Sequence, residues 1–543
     1  MLDKELLYSD LKQLIAVPSI SGTKDEVLAA YKIEELLREI PYFKEHSDHV
    51  MQVPIENDPF DRVLIAAFLE APEKSADTVI LTGHYDVVDV EEFGALKDIA
   101  FDMEATTERI AELPLSEEVK ADYESGNYYF GRGVLDMKYG HAASINLLRH
   151  YAEEGNLKGN LLYVAVCGEE TNSEGMLAAV PFFTEFAKEK GLEYKCLLLM
   201  EGYMVDGQEE GVKYVQYGNA GKVMPMFFCI GKTTHGEEPL LGLDANMMSS
   251  EVYRLMHANP GFCQNNKGIT TAPPCGLKLQ DLTENYSLST TLYAASYYNI
   301  ATIKLNPEEL MQKLTGIAQE AFDNAIDIIK KNVSGFEKIA GRTPEHYMPE
   351  SKVQTFGEFY KEVEADFEGD LKETVKEKLG EFMKENPEMQ DSCVKLCKFL
   401  AGIARDKSPR IIVSIIPPYY PDVNIDENDK GTIEMMECIE DVIGYAKEKH
   451  GERLETSEYY GISDMCYTWL ADGLDFDTLF ENLIGVDSIY QFPTEALKEF
   501  KVPGMVLGCA GKDMHKYTER LEKHYNFDVL PDLFTHVIDR LIG

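Results

Sequence analysis

Four short apolar runs, RVLIAAFL, TVILTGHYD, NLLYVAVCG and CLLLME, lie between residues 62 and 201, with amphipathic helical patterns before and among them. The helical patterns are DKELLYSDLKQLIAV, EVLAAYKIEELLREI, HAASINLLRHYAEE and MLAAVPFFTEFAKEK, whose apolar residues recur every three or four positions. Runs that are apolar at every position suit strands covered on both faces, and their alternation with helices predicts an α/β domain with a mainly parallel or mixed central sheet flanked by helices.

At 543 residues the chain is too long for one core. Near residue 213 the texture changes. VKYVQYGNAGKVMPMFFCIG reads as a hairpin around an Asn/Gly turn, long charged helices follow, and RIIVSIIPPYYPDV reads as an edge strand ended by prolines. The helix pattern resumes at GTIEMMECIEDVIGYAKEKHG. One domain at 1–212 and 426–543 is therefore expected, interrupted by an inserted α+β domain at 213–425. The formal net charge of -43 argues against nucleic acid and against an anionic membrane surface. The N-terminus lacks the apolar stretch of a secretory signal, and no run is long enough for a transmembrane helix. Ten cysteines without C-x-x-C pairs fit a reduced, cytoplasmic chain, with Cys393 and Cys397 as small buried hydrophobes of a helix.

Four stretches carry candidate chemistry. In LTGHYDVVD, His84 and Asp86 end a strand, where open α/β sheets bind ligands, and residues two apart point the same way. Asp86 is thus placed to orient the imidazole. YYFGRGVLDMKYGHAA delivers Asp136 just before a helix, either as its N-cap or as a ligand. VAVCGEETNSEG ends a strand in Glu169 and Glu170, either solvated loop charges or one cation ligand beside a titrating partner; LLLMEGY ends another in Glu201. Each has a bland reading alone. On one sheet rim together, these carboxylates are unstable without cations, and mixed imidazole and carboxylate donors suit Zn²⁺, with Mn²⁺ or Co²⁺ as alternatives.

The ordered set GHYD, GRGVLDMK, CGEETNSEG and LMEGY, with GKTTHGEEP and GKDMHKYTER later in the chain, resembles the M20 family of co-catalytic zinc peptidases and deacylases; PPYYPDV and GISDMCYTW are similar to its RocB-like branch. The resemblance implies a zinc-peptidase-like catalytic domain with an inserted lid. It implies two divalent cations: His84 and Glu201 on one, Glu170 and His515 on the other, and Asp136 bridging them. It further implies Asp86 as support for His84, Glu169 as general base, a cis peptide bond after Asp136, and His235 reaching the substrate from the lid. Glu519, one turn after His515 if that segment is helical, would steady its imidazole. One departure is the long segment between Asp86 and Asp136, EEFGALKDIAFDMEATTERIAELPL, placed to shape the pocket.

The function expected is a metal-dependent hydrolase that cleaves an amide or peptide bond of a small substrate by activated water. A dipeptide or short peptide is the first reading. An N-acyl amino acid, in amino-acid degradation and arginine catabolism, is the alternative, and a non-catalytic binding protein on the same fold is the third. No phosphate loop or serine-nucleophile elbow competes. In dimeric family members the lid histidine comes from the partner subunit. The enlarged insert here favours a monomer over a homodimer, with His235 acting in its own chain. Arg132 and Lys138 are read as structural partners of the acidic rim. Within CQNNKGITTAPPCGLKLQDLTENYSLST and its neighbourhood, Asn246, Tyr286 and Lys278 are candidate polar contacts to substrate.

Overall fold

The computed structural model describes residues 2–203, 209, 211–266, 269–459, 461–471 and 473–543. The chain forms two compact units: Met1–Ala220, Val423–Leu470 and Pro493–Gly543 make the first, and Gly221–Asp422 with Ala471–Phe492 makes the second.

The first unit is built on an eight-stranded mixed sheet. Its centre is parallel: Asp77–His84 lies between Asn160–Val166 and Glu193–Leu199, with His84 opposite Val166 and Thr82 opposite Leu199. The edges bring in antiparallel pairs, Val63–Leu69 on Asn160–Val166 and Val212–Tyr217 on Gly504–Leu507. Every residue of Asn160–Val166 is buried, as a strand sandwiched between helices requires. The helix Lys4–Ile15 starts where the Asp3 side chain accepts the N–H groups of Glu5 and Leu6, and it buries Leu7, Leu11, Leu14 and Ile15. Helices Lys138–Glu154 and Leu530–Ile542 each bury an apolar face in the same core. Because the central strands run parallel and in register, their C-terminal ends share one rim. Glu169 and Glu170 follow one strand, Glu201 follows another, and His84 ends the strand between them.

The second unit carries a five-stranded sheet in the order Cys275–Asp281, Tyr293–Thr302, Gly221–Ile230, Arg410–Tyr420, Val353–Thr355. Its core joins Met226, Phe228 and Ile412 of the sheet to Phe359, Leu379, Leu396 and Leu400 of the helices Phe356–Asp366, Leu371–Glu385 and Met389–Ile403. Cys393 and Cys397 are free thiols buried in that core.

Three expectations are corrected. The segment 213–230 is no hairpin: Val212–Tyr217 pairs in the first unit's sheet and Gly221–Ile230 in the second's. Asn219 pairs instead with Val423, so the two ends of the inserted segment leave side by side. The strand Arg410–Tyr420 is internal, flanked by Gly221–Ile230 and Val353–Thr355. Its prolines are tolerated because pairing is irregular between Ile416 and Tyr420 and the short neighbour Val353–Thr355 ends opposite Val413. Last, Ala471–Phe492 belongs to the second unit and not to a continuous 426–543 domain. The Ile484 N–H donates to Ile415 O, and the Tyr490 hydroxyl donates to Tyr419 O at 2.8 Å, so this excursion is stitched to the strand at 410–420. Among the described residues no helix is long and apolar enough to cross a membrane.

Candidate metal centre

At the rim of the first unit's sheet, Asp136 faces two imidazoles with separate oxygens. Its Oδ1 lies 3.0 Å from His84 Nε2, and its Oδ2 lies 3.0 Å from His515 Nε2. His515 Nε2 is also 3.0 Å from Glu170 Oε1, an approach without hydrogen-bond geometry. Three sets of donors converge within 4.8 Å: His84, Asp136 and Glu201; Asp136, Glu170 and His515; and His84, Glu169 and Glu170. Glu201 Oε2 is buried with no hydrogen-bond partner among the described residues. An orphaned carboxylate oxygen beside two imidazoles and three further carboxylates is the donor chemistry of divalent transition cations, so these residues fit such ions.

Burial and the Glu170 and Glu201 carboxylates push Glu169 well above the usual carboxylate range, although His84 pulls the other way. Burial and Asp136 do the same to Glu201. Burial disfavours a charged His84, but the hydrogen-bonded Asp136 and the nearby Asp86 outweigh it and raise its value. His515 is pushed up to about 10 by Asp136 and Glu170. These directions belong to the metal-free protein and share one sign. A group whose folded value is raised above its unfolded one stabilises at low pH, and that contribution is lost as pH rises through the folded value. Metal-free protein should therefore melt progressively lower as pH rises from about 5 to 9, and added Zn²⁺ should restore more Tm at the upper end, because binding requires deprotonated ligands. Differential scanning fluorimetry across that range checks both trends.

The second layer differs from the expected one. His84 Nδ1–H donates to the backbone carbonyl of Asp86 at 3.0 Å, while the Asp86 carboxylate is 3.6 Å away, so the carbonyl fixes the tautomer. The carboxylate instead accepts the N–H groups of Glu169 (3.3 Å) and Glu170 (3.2 Å) and the Ser21 hydroxyl (2.7 Å). Glu26 takes the preceding N–H, that of Gly168, and Arg62 donates to Glu26 at 3.1 Å. Three successive amides of the loop bearing Glu169 and Glu170 are thus held by two buried carboxylates. Gly168 has φ 69°, and a Cβ there would lie 2.3 Å from Glu174 Oε2, so this turn requires glycine.

GKDMHKYTER is not helical: Gly511–Lys512 and Arg520–Glu522 are short strands, with a turn between them. Glu519 therefore does not steady the His515 ring. Its Oε1 accepts the N–H groups of Leu135 (3.0 Å) and Asp136 (3.3 Å), and its Oε2 pairs with Arg132 Nη1 at 2.6 Å, while Arg132 Nη2 donates to His515 O. This buried ion pair joins the segments carrying Asp136 and His515. Arg132 thus sits in a structural pairing, and Lys138 is buried with its Nζ on Val17 O. Glu519→Gln would leave Arg132 buried beside a neutral group. It should lower stability in urea by about 3 kcal/mol and weaken metal affinity by about 10-fold. The helix after Asp136 has Met137 at its N-cap with no side-chain cap, so Asp136 is not the cap; the Asp136–Met137 bond is cis.

Asp464, in GISDMCYTW, went unrecognised as a site residue from sequence. It is fully buried, both its oxygens lack hydrogen-bond partners among the described residues, and it is pushed up to about 7 by burial and by Asp86, Asp136 and Glu170, against the pull of His84. A lone aspartate within an otherwise uncharged turn was the only signal. His235 lies in the second unit, paired through its backbone with Ser289, its side chain half exposed. Asn246 there donates to Thr291 Oγ1, Tyr286 is exposed and Lys278 sits on the strand Cys275–Asp281. Lys267 and Gly268 of the expected substrate wall lie outside the described residues.

The model of peptidase family M20/M25/M40 matches residues 80–499. The uncharacterized protein YqjN of Bacillus subtilis (strain 168) is 32% identical over 99% of this chain and 97% of its own. Protein RocB of the same organism is 29% identical over 97% and 94%. A tripeptidase from Staphylococcus aureus shares the fold, with TM-score 0.55 and 12% identity over 100% of this chain and 99% of that one. With a family match over most of its length and near full-length likeness to both Bacillus proteins, the chain belongs to peptidase family M20/M25/M40 and is a peptidase or amidohydrolase related to RocB.

Proposed function

We propose that the enzyme hydrolyses an amide or peptide bond of a dipeptide or short peptide with two divalent cations, zinc first. His84 and Glu201 would hold one cation and Glu170 and His515 the other, with Asp136 shared. The observation that carries this is the Asp136 carboxylate, whose two oxygens each meet a different imidazole at 3.0 Å. When bound, such cations polarise the scissile carbonyl and bring the pKa of water near neutrality. Glu169 then takes the proton of the attacking water and passes it to the leaving nitrogen. Asp86 keeps the Glu169 and Glu170 amides in place. His235 is assigned the role of oxyanion donor.

The same centre would serve an N-acyl amino acid, so the substrate class is decided by assay. Dipeptides and N-acyl amino acids are offered with Zn²⁺, Mn²⁺ or Co²⁺, using Glu169→Gln as the blank. Dipeptide turnover by the wild type alone supports the proposal. Equal rates in wild type and blank on every substrate would sink it.

His235 is assigned to its own chain. Mixing Glu169→Gln with His235→Ala protein should therefore recover no activity. Recovery towards a quarter of the wild-type rate would show instead that the histidine is supplied by a partner subunit.

A further inference from the structure

We infer that the segment at 91–125, through Asp122, positions His515 and thereby sets the affinity of the metal position that His515 completes; this rests on the two-cation reading above. His84 and Asp136 sit on a strand end and a buried turn, whereas His515 is held by a loop between two short strands. Its φ is 66° and that of Asp513 is 62°, a left-handed conformation that Asp and His adopt more readily than most residues but that still favours support from the surroundings. The His515 side chain is 51% exposed, against 0% for His84. What supports the conformation is a relay of charges. The Asp513 carboxylate accepts from Thr518 Oγ1 at 2.8 Å, from Lys516 Nζ at 2.9 Å and from Arg520 Nη1.

Arg520 is buried, and its Nε donates at 2.8 Å to Asp122 Oδ2. Lys512 Nζ reaches the same oxygen at 2.9 Å, with Glu118 also at 2.9 Å. Asp122 and Glu118 lie on the helix Glu117–Ser125, which is part of the 91–125 segment. That segment is anchored in turn by its own apolar cluster of Leu96, Ile110, Val119 and Phe130, against which Tyr517 packs; the Tyr517 hydroxyl donates to Pro114 O. Arg132 Nη2 separately holds His515 O at 3.0 Å. Take away Asp122 and Arg520 keeps Asp513, Thr518 O and a distant Glu118; Lys512 and Tyr517 still tie the loop to the 91–125 segment, but the tie that runs through Arg520 to Asp513 is lost. Asp122 is thus a positioning residue acting through Arg520 and Asp513, and it touches neither cation nor substrate.

Equilibrium dialysis of the full-length protein with Co²⁺ tests this. Wild type and Glu124→Ala, an exposed change on the same helix, should each take up two equivalents. In Asp122→Ala the first equivalent should bind within 2-fold of wild type and the second about 10-fold more weakly. Raising Co²⁺ should restore kcat at unchanged KM, and Asp122→Glu should recover much of the loss. If the alanine variant does not fold, the isosteric Asp122→Asn is measured in its place and should show about a 3-fold weakening of the second equivalent alone. A second equivalent that binds as in wild type overturns the inference, as does parallel weakening of both. Fewer than two equivalents on the wild type would bring down the two-cation reading, and the inference with it.

Discussion

Glu169→Gln is expected to lower kcat by at least about 10³-fold while KM and metal content stay near wild type. Glutamine keeps the size and hydrogen-bonding capacity of glutamate but cannot accept a proton, and general acid–base groups contribute about 10²–10⁴-fold to such reactions. Glu169 serves both proton transfers, from water and to the leaving nitrogen, which places the loss towards the upper part of that range. The loop around it is held through its backbone by Glu26 and Asp86, so the substitution leaves Glu170 where it is. The variant should also be more stable than wild type when metal-free, since one of the mutually repelling buried carboxylates is gone. Steady-state kinetics, metal analysis and a melting curve together check this. A variant that keeps a tenth of the activity would remove Glu169 from the proton path.

His515→Ala is expected to lose one of two bound cations and at least about 10²-fold of turnover, with the fold intact. The ring is half exposed, so truncation opens no core cavity, but in the metal-free protein it removes a partner of the buried Asp136 and Glu170, so any loss of stability should be largest at low pH. Metal affinity answers differently, because Asp136 and Glu170 alone leave the second position with two carboxylate donors. Excess Zn²⁺ or Co²⁺ should restore part of the occupancy. A variant retaining two tightly bound equivalents would show that His515 is no ligand. His84→Ala offers a contrast: that side chain is fully buried at the strand end, and its loss should both release the other cation and lower the melting temperature.

Much of the centre was legible because parallel strands impose a simple geometry. Apolar runs that each end in His or Glu must bring those ends to one rim, whatever the loops do, and His84, the pair Glu169 and Glu170, and Glu201 follow from that rule; which glutamate of the pair binds is implied only by the family resemblance. The illegible parts are those where the partner is remote in sequence. Asp86 looked like the support of His84 by strand periodicity, yet its carboxylate turns to the Glu169 and Glu170 amides, which reach it from the end of another strand. Glu519 looked like a helical neighbour of His515 because charged residues at that spacing fit a helix. Two residues in the left-handed region break that periodicity, and nothing in the residue types announces them. Asp464 had no signal beyond its setting, since burial and the lack of a partner are properties of the packed chain.

The apolar patterning of the sequence by itself determined the α/β class of the first unit, the strand ends that carry chemistry and the imidazole–carboxylate composition of the site, because these depend on local periodicity and on residue type. Tertiary structure alone decided how the carboxylates are divided among tasks. Asp136 meets two imidazoles, Asp86 and Glu26 hold amides, Glu519 holds Arg132, and Asp122 secures a loop nearly four hundred positions away. A carboxylate's role depends on which donor reaches it first, and for residues this far apart in the chain only packing settles that.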